Sequence, residues 1–432
     1  MRKSILFILV LMVLTPAFGQ NNVSNQERLK WWREARFGMF IHWDMSSVAG
    51  TEISWSRLGP KPLDGSWGSP AGTGGDSIYD NLYKKFNPTK FDAKKWVEIA
   101  KNAGMKYVVF TAKHHGGFCM WDTRYTDYSI MHTPFKRDVV KELSEACHKA
   151  GLHFGIYYSP RDWHHPDYGM GDNNKYEAYM TGQLTELLTN YGQVDVVWFD
   201  SFGTGESIKY WHADKVLELV RKLQPQTIIN NRCSFFGEHV PSLQADFDTP
   251  EQVIGSYQTN RDWESCMCVV DAPGGGWSYR SDGKVKPFEE CIRNLVACAT
   301  GDGNLLLDVG PDSFGVIPAD QANRLSQIGD WIRKYGFSVY GTEGGPFRNG
   351  NWGGCTFKGK KVYIHLFESA PDLLELPAFR EKLLSVRNLT GGNVKITAEN
   401  EKVRIRSTPK DRNSPDTIIE LIFDRDVIRV DN

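Results

Sequence analysis

Residues 105–122 read MKYVVFTAKHHGGFCMWD. A β-branched and aromatic run breaks at Lys113 into two adjacent histidines and two glycines. An apolar stretch without in–out alternation is the pattern of a parallel strand covered on both faces. Five more runs share that grammar: FGMFIHW (37–43), HFGIYYS (153–159), VDVVWFD (194–200), TIINNR (227–232) and NLLLDVG (304–310). Between them lie amphipathic stretches closed by Gly or Pro, such as AKKWVEIAKNAG, which carries Trp96, Ile99, Ala100 and Ala103 on one stripe. RDVVKELSEACHKAG, YMTGQLTELLTNYG and ADKVLELVRKLQP follow the same rule. Strand–helix units repeated this often predict a parallel α/β fold. No G-x-G-x-x-G follows the first strand, so a (β/α)8-type barrel is expected rather than a dinucleotide-binding sheet.

After DQANRLSQIGDWIRKYG (320–336) the period changes to two. KKVYIHLF, LLSVRNL, NVKITAEN, KVRIRST and TIIELIF alternate between turn residues. The predicted organisation is a barrel over 21–345 followed by a small antiparallel β-sandwich over 346–432. Residues 1–20, MRKSILFILVLMVLTPAFGQ, have the basic start, short apolar run and small-residue end of a secretory leader. The expectation is an exported protein, periplasmic or secreted, and soluble once the leader is removed. Basic and acidic residues number 51 and 52, so bulk charge gives no case for nucleic acid or an anionic membrane. No later run is long and apolar enough to span a bilayer. The eight cysteines are scattered without a CxxC repeat and are expected to be buried thiols.

In a parallel barrel the chemistry gathers where strands end. That rule collects His42 and Trp43; Lys113, His114 and His115; Tyr157 and Tyr158; Trp198 and Asp200; Asn231 and Arg232. The paired imidazoles are then polar fingers at a barrel mouth. Asp200 closes a fully apolar run, where an unused carboxylate would be costly; its plainer role is to cap the next loop. Glycoside hydrolysis needs a second carboxyl, and Glu251 in QADFDTPEQ or Glu264 in RDWESCM can supply it. His42, His114, His115 and Asp200 also make a candidate metal cluster. HExxH spacing is missing and neighbouring strand residues face opposite ways, so no metal is expected.

With these residues assembled, the chain resembles the α-L-fucosidases of glycoside hydrolase family 29 from about residue 28 to 345. The ordered set ARFGMFIHWDMSSVAG, YVVFTAKHHGGFCMWDT, GIYYSPRDW, VVWFDSFG, NNR, DFDTPEQ, WESC and GNLLLDVGPDSFGVIP carries the likeness. The resemblance implies a retaining exo-hydrolase that removes terminal α-L-fucose from fucosylated glycans and needs no cofactor. It implies Asp200 as nucleophile, and His42, His114, His115, Tyr158, Trp198, Arg232 and Trp277 as sugar-binding positions. It leaves the acid/base between Glu251, which is preferred, and Glu264. Where the family often has a Glu–Trp pair, TEISW separates Glu52 from Trp55, and HWD places Asp44 where HWG is commoner. The competing class is a non-catalytic fucose-binding barrel, which would keep aromatics and histidines without needing two carboxyls.

Overall fold

The computed structural model describes residues 24–58, 78–168, 173–200, 212–233, 245–273, 275–399 and 402–429; the expected leader lies outside them, as does most of loop 56–80. Strands β1 (Phe37–Ile41), β2 (Tyr107–Lys113), β3 (His153–Tyr158), β4 (Val196–Phe199), β5 (Ile228–Ile229) and β6 (Glu264–Cys268) are followed by a short hairpin, β7 (Val270–Asp271) and β8 (Lys284–Val285), and then by β9 (Asn304–Val309). All but the hairpin join one curled parallel sheet in the order β5-β4-β3-β2-β1-β9-β6. Helix α1 (Asn25–Ala35) precedes β1. Helices α2 (Ala93–Asn102), α3 (Val139–Ala150), α4 (Asn174–Thr189) and α5 (Ala213–Leu223) connect successive strands up to β5. Helix α6 (Phe288–Thr300) leads into β9, and α7 (Ala319–Tyr335) follows it.

Local chemistry explains these helices. Asp92 caps α2 by accepting from the amides of Lys94 and Lys95, and Trp96, Val97 and Ala100 turn inward. Asp138 caps α3, and the helix ends at Gly151, whose φ of 72° suits a residue without Cβ. All seven residues of β2 are buried. One face of the sheet, with Phe40, Tyr107, Val109, Tyr157 and Trp198, packs inside the curl. The other face, with Met39, Val108, Phe110, Ile156 and Tyr158, packs in the larger core shared with the helices.

Of the expected (β/α)8-type barrel, the alternating strands and helices and the curled parallel sheet are present, with seven strands laddered among the described residues. The sheet's edges are β5 and β6, and the extended segment 246–251 lies between them. Asp246 N donates to Ile229 O (2.7 Å) and Asn231 N to Phe247 O (2.8 Å) on one flank. On the other, Glu264 N donates to Asp248 O (2.8 Å), Cys266 N to Pro250 O (3.0 Å) and Gln252 N to Cys266 O (2.9 Å). These are isolated bridges rather than a ladder. Pro250 has no N–H to give, and the amide of Thr249 turns to the side chain of Asn231 (3.2 Å). A seam, not an eighth strand, joins the edges.

Beyond α7 the chain becomes antiparallel. Strands β10 (Glu343–Gly344), β11 (Gly353–Lys358), β12 (Lys361–Leu366), β13 (Leu373–Leu376), β14 (Leu383–Asn388), β15 (Lys395–Glu399), β16 (Lys402–Arg406) and β17 (Thr417–Phe423) form two sheets, ordered β10-β11-β12-β17-β14 and β13-β16-β15. Cys355, Ile364, Leu421 and Phe423 from the first meet Leu376, Val403 and Ile405 from the second in one apolar layer. The seven cysteines whose side chains are described are buried and free.

Candidate active site

The strand ends converge on a cavity of about 540 Å³, within the size range of small-molecule sites. His42 follows β1, His114 and His115 follow β2, Tyr157 comes from β3, Trp198 and Asp200 from the end of β4, Arg232 from the turn after β5, and Trp277 from the β7–β8 hairpin. Glu251 reaches in from the seam. Tyr157 stacks on Trp198 on one side and on His114 on the other, with ring centroids 5.7 and 5.3 Å apart. Trp277 leans on His42 at 4.9 Å. The result is an aromatic-walled cup with polar groups set into it.

Asp200 holds the centre. Tyr157 Oη donates to its Oδ2 at 2.8 Å, Arg232 Nη1 lies 3.1 Å from Oδ1, and His115 Nε2 is 3.4 Å from Oδ2. The same Arg232 Nη1 lies 2.6 Å from Glu251 Oε2. Arg232 is itself fixed: Nε donates to Thr249 Oγ1 (2.8 Å), Nη2 to Thr249 O (2.9 Å), and the guanidinium lies over the Trp198 ring. One cation therefore binds two carboxylates, one at the end of β4 and one on the seam, a charge-assisted arrangement stronger than neutral hydrogen bonds.

Burial sets the charge of the imidazoles. It holds His42 and His115 well below the usual histidine range and brings His114 down to about 4, against the opposing pull of Asp200. At neutral pH all three are uncharged, each ring carrying one N–H donor and one lone pair. His42 Nδ1 is occupied by Asp308 Oδ1 at 2.7 Å, so Nε2 is what it can offer. His115 Nδ1 is occupied by Ser159 Oγ at 2.6 Å. His114, His115 and Asp200 bring possible metal-ligand atoms within 4.8 Å of one another. Arg232 already matches the charge of that carboxylate.

Three expected contributors lie elsewhere. Tyr158 follows Tyr157 on the strand and so faces the other way, donating to Gln183 Oε1 (2.8 Å) beneath the Lys113 ammonium. Trp43 packs among Phe86, Phe91 and Trp96, its indole N–H on Asp312 O (2.9 Å). Glu264 is fully buried on β6 inside the curl; Trp32 and Trp198 donate to it at 3.2 Å each, with Tyr107 as a third donor. Burial pushes its carboxyl up to about 7. Glu52 is also buried away from the cavity, its Oε1 accepting from Ser278 N (3.2 Å), and Asp44 caps the short turn Met45–Val48 through Ser46 N (2.7 Å). Conversely, Phe40, Trp55, Arg161 and Gln252 line the cavity without having been singled out. Strand alternation would have found Phe40, two residues before His42; the other three sit on loops or the seam, where no period marks direction.

The α-L-fucosidase family model matches residues 15–337. Among curated relatives, the plasma α-L-fucosidase of Rattus norvegicus is 31% identical over 72% of this chain and 70% of its own length. The α-L-fucosidase of Dictyostelium discoideum is 27% identical over 93% and 94%. Among solved structures, α-L-fucosidase isoenzyme 1 from Paenibacillus thiaminolyticus superposes with a TM-score of 0.79 at 32% identity, covering 93% of this chain and 99% of that one. A family 29 α-L-fucosidase from Bacteroides thetaiotaomicron, trapped as a covalent intermediate, gives 0.77 at 26% identity over 92% and 96%. This chain belongs to the α-L-fucosidases of glycoside hydrolase family 29.

Proposed function

We propose that this protein is an exo-acting, retaining α-L-fucosidase that releases terminal L-fucose from fucosylated glycans by double displacement. Asp200 is the nucleophile and Glu251 the acid/base. The observation that carries this reading is the sharing of one Arg232 nitrogen by both carboxylates. Bonded to the same atom at 3.1 and 2.6 Å, the two oxygens lie at most about 6 Å apart. That bound admits the ~5–5.5 Å of retaining pairs and lies below the ~6.5–9.5 Å of inverting pairs. Glu264, buried under three donors, fits a structural role and is the weaker acid/base candidate.

In the first step a carboxylate oxygen of Asp200 bonds the anomeric carbon as the glycosidic C–O bond breaks. Protonated Glu251 gives its proton to the departing oxygen. In the second, Glu251 takes a proton from water, whose oxygen attacks the anomeric carbon and frees Asp200. Loading Glu251 with a proton requires its contact with Arg232 to slacken as sugar enters, while Asp200 keeps the guanidinium. Tyr157 holds the Asp200 carboxylate in place, and the neutral histidines meet the sugar hydroxyls. Phe40, Trp198 and Trp277 give the C5 methyl and ring an apolar wall.

Retention is tested by following the anomeric proton of newly released fucose. An α product appearing before mutarotation is expected; a β product would overturn the assignment. Binding of fucosylated oligosaccharides without release would instead select the non-catalytic reading. We further propose that residues 1–20 direct export to the periplasm or medium, and that 21–345 and 346–432 are two domains. Fractionation and limited proteolysis test these two points.

A further inference from the structure

The cavity is lined by two guanidinium groups, and they are in different states. Arg232 is fully engaged with Asp200, Glu251 and Thr249. Arg161 is 6% exposed and lines the same cavity, yet among the described residues no carboxylate pairs with its guanidinium and no oxygen accepts from it. Its sequence neighbour does not help. Asp162 spends Oδ2 on Lys113 Nζ (3.1 Å) and Oδ1 on the amides of His164 (3.1 Å) and His165 (2.9 Å). The guanidinium opens onto the cavity rather than being sealed in protein, so its donors face whatever the cavity holds.

The loop holding Arg161 is firmly placed. Arg161 N donates to Ser159 Oγ at 3.0 Å, the same hydroxyl that meets His115 Nδ1, and Trp163 N donates to His115 O at 2.8 Å. Trp55 and Trp163 pack on His115. The Arg161 charge also helps hold His114 and His115 neutral. With those imidazoles uncharged and Arg232 shared by both carboxylates, Arg161 is the cation left over among the described lining residues. Guanidinium is the side chain best shaped to grip a planar carboxylate or a sulfate through two N–H groups.

We propose that Arg161 is a specificity-determining residue that receives an anionic substituent of the glycan, a sulfate ester or a carboxylate, next to the fucosyl position. This rests on the fucosidase reading above and narrows its substrate class. The test uses two matched pairs: 4-nitrophenyl α-L-fucoside with and without a ring sulfate, and fucosyl-galactose against fucosyl-galacturonic acid. The first pair places the anion on the fucose, the second on its neighbour. Wild-type protein is expected to favour the charged member of one pair by about 10- to 100-fold in kcat/KM, the range of a charge-assisted hydrogen bond, and to lose that preference as salt rises. In Arg161→Met the charged-to-neutral ratio should collapse to one or below, and in Arg161→Lys it should be partly kept. Wild-type preference for the neutral member of both pairs, or a ratio unchanged in Arg161→Met, would overturn the proposal. Release from neutral substrates alone marks failure of this inference; release from none breaks the fucosidase reading and this inference with it.

Discussion

Two buried histidine–aspartate pairs sit in different parts of the chain. At the mouth of the parallel sheet His42 Nδ1 meets Asp308 Oδ1 at 2.7 Å; in the antiparallel layer His365 Nδ1 meets Asp416 Oδ2 at 2.6 Å. Both aspartates are fully buried, and each has one oxygen without a partner. The pairs differ in what lies beyond the ring. His42 lines the cavity among Phe40, His114, Tyr157 and Trp277. His365 sits in mid-sheet on β12, sealed between β11 and β17, with Nε2 facing Thr356 Oγ1 at 3.5 Å. The same two side chains thus face an open cavity in one place and packed protein in the other. A motif acquires a role from the space its second nitrogen faces.

Changes at the mouth should therefore cost turnover, and changes in the antiparallel layer should cost stability alone. The hardest test is Asp200→Ala, which should lower kcat/KM on the order of 10,000-fold or more while the thermal midpoint stays within a few degrees. Full activity would remove the nucleophile from the scheme. Glu251→Ala should lose about 100- to 10,000-fold, less on aryl fucosides with good leaving groups, and azide should restore turnover with a β-fucosyl azide product. Glu264→Ala orphans three donors and should instead cost about 3 kcal/mol or more of stability, with no rescue. Azide rescue at Glu264 alone would exchange the two roles.

His42→Phe and His365→Phe sharpen the comparison directly. The first should lower kcat/KM about 10-fold, the worth of one or two sugar hydrogen bonds, and, because it leaves Asp308 buried without its partner, should cost stability as well. The second leaves Asp416 buried and unmatched. It should cost about 2–4 kcal/mol in denaturant unfolding and leave kcat/KM unchanged. Loss of activity in the second without loss of stability would dissolve the distinction. The smallest effect is a pH slope. Unfolded imidazoles take protons near pH 6.5, whereas His114 resists until about 4. The stability this provides above pH 6.5 is lost as pH falls towards 4, at on the order of 1 kcal/mol per unit. Glu52 and Glu264, both raised to about 7 by burial, act the other way, losing their contribution as pH rises from about 4.5 to 7. Urea unfolding of His114→Gln against the wild type isolates the first slope, which should flatten in the variant.

Much of this was legible in the chain. The six β-branched and aromatic runs became β1 to β5 and β9, because strands covered on both faces need apolar side chains at every position. Strand β6 escaped notice because ESCMC has no β-branched residue and opens on Glu264, which reads as a loop acid. Its carboxyl is tolerated only because Trp32, Tyr107 and Trp198, remote in sequence, donate to it. The cavity residues at strand ends followed from topology. Choosing Tyr157 over Tyr158 required the absolute facing of β3, which an unbroken apolar run conceals. Trp55 and Arg161 come from loops, whose geometry is written in long-range contacts rather than in local pattern.

The seam at 246–251 carries a consequence for how such a site can be altered. A residue inserted into a laddered strand would slip the register of its neighbours and turn its side chains inside out. Segment 246–251 runs in no ladder but bonds at separate points to both edges, so an extra or missing residue there would break some of those bonds without shifting the register among the seven strands. Glu251 therefore sits on a segment held by a few separate bonds rather than by a strand register, opposite Asp200. On the acid/base role proposed above, refitting that short stretch would re-aim Glu251 towards a leaving group of different shape.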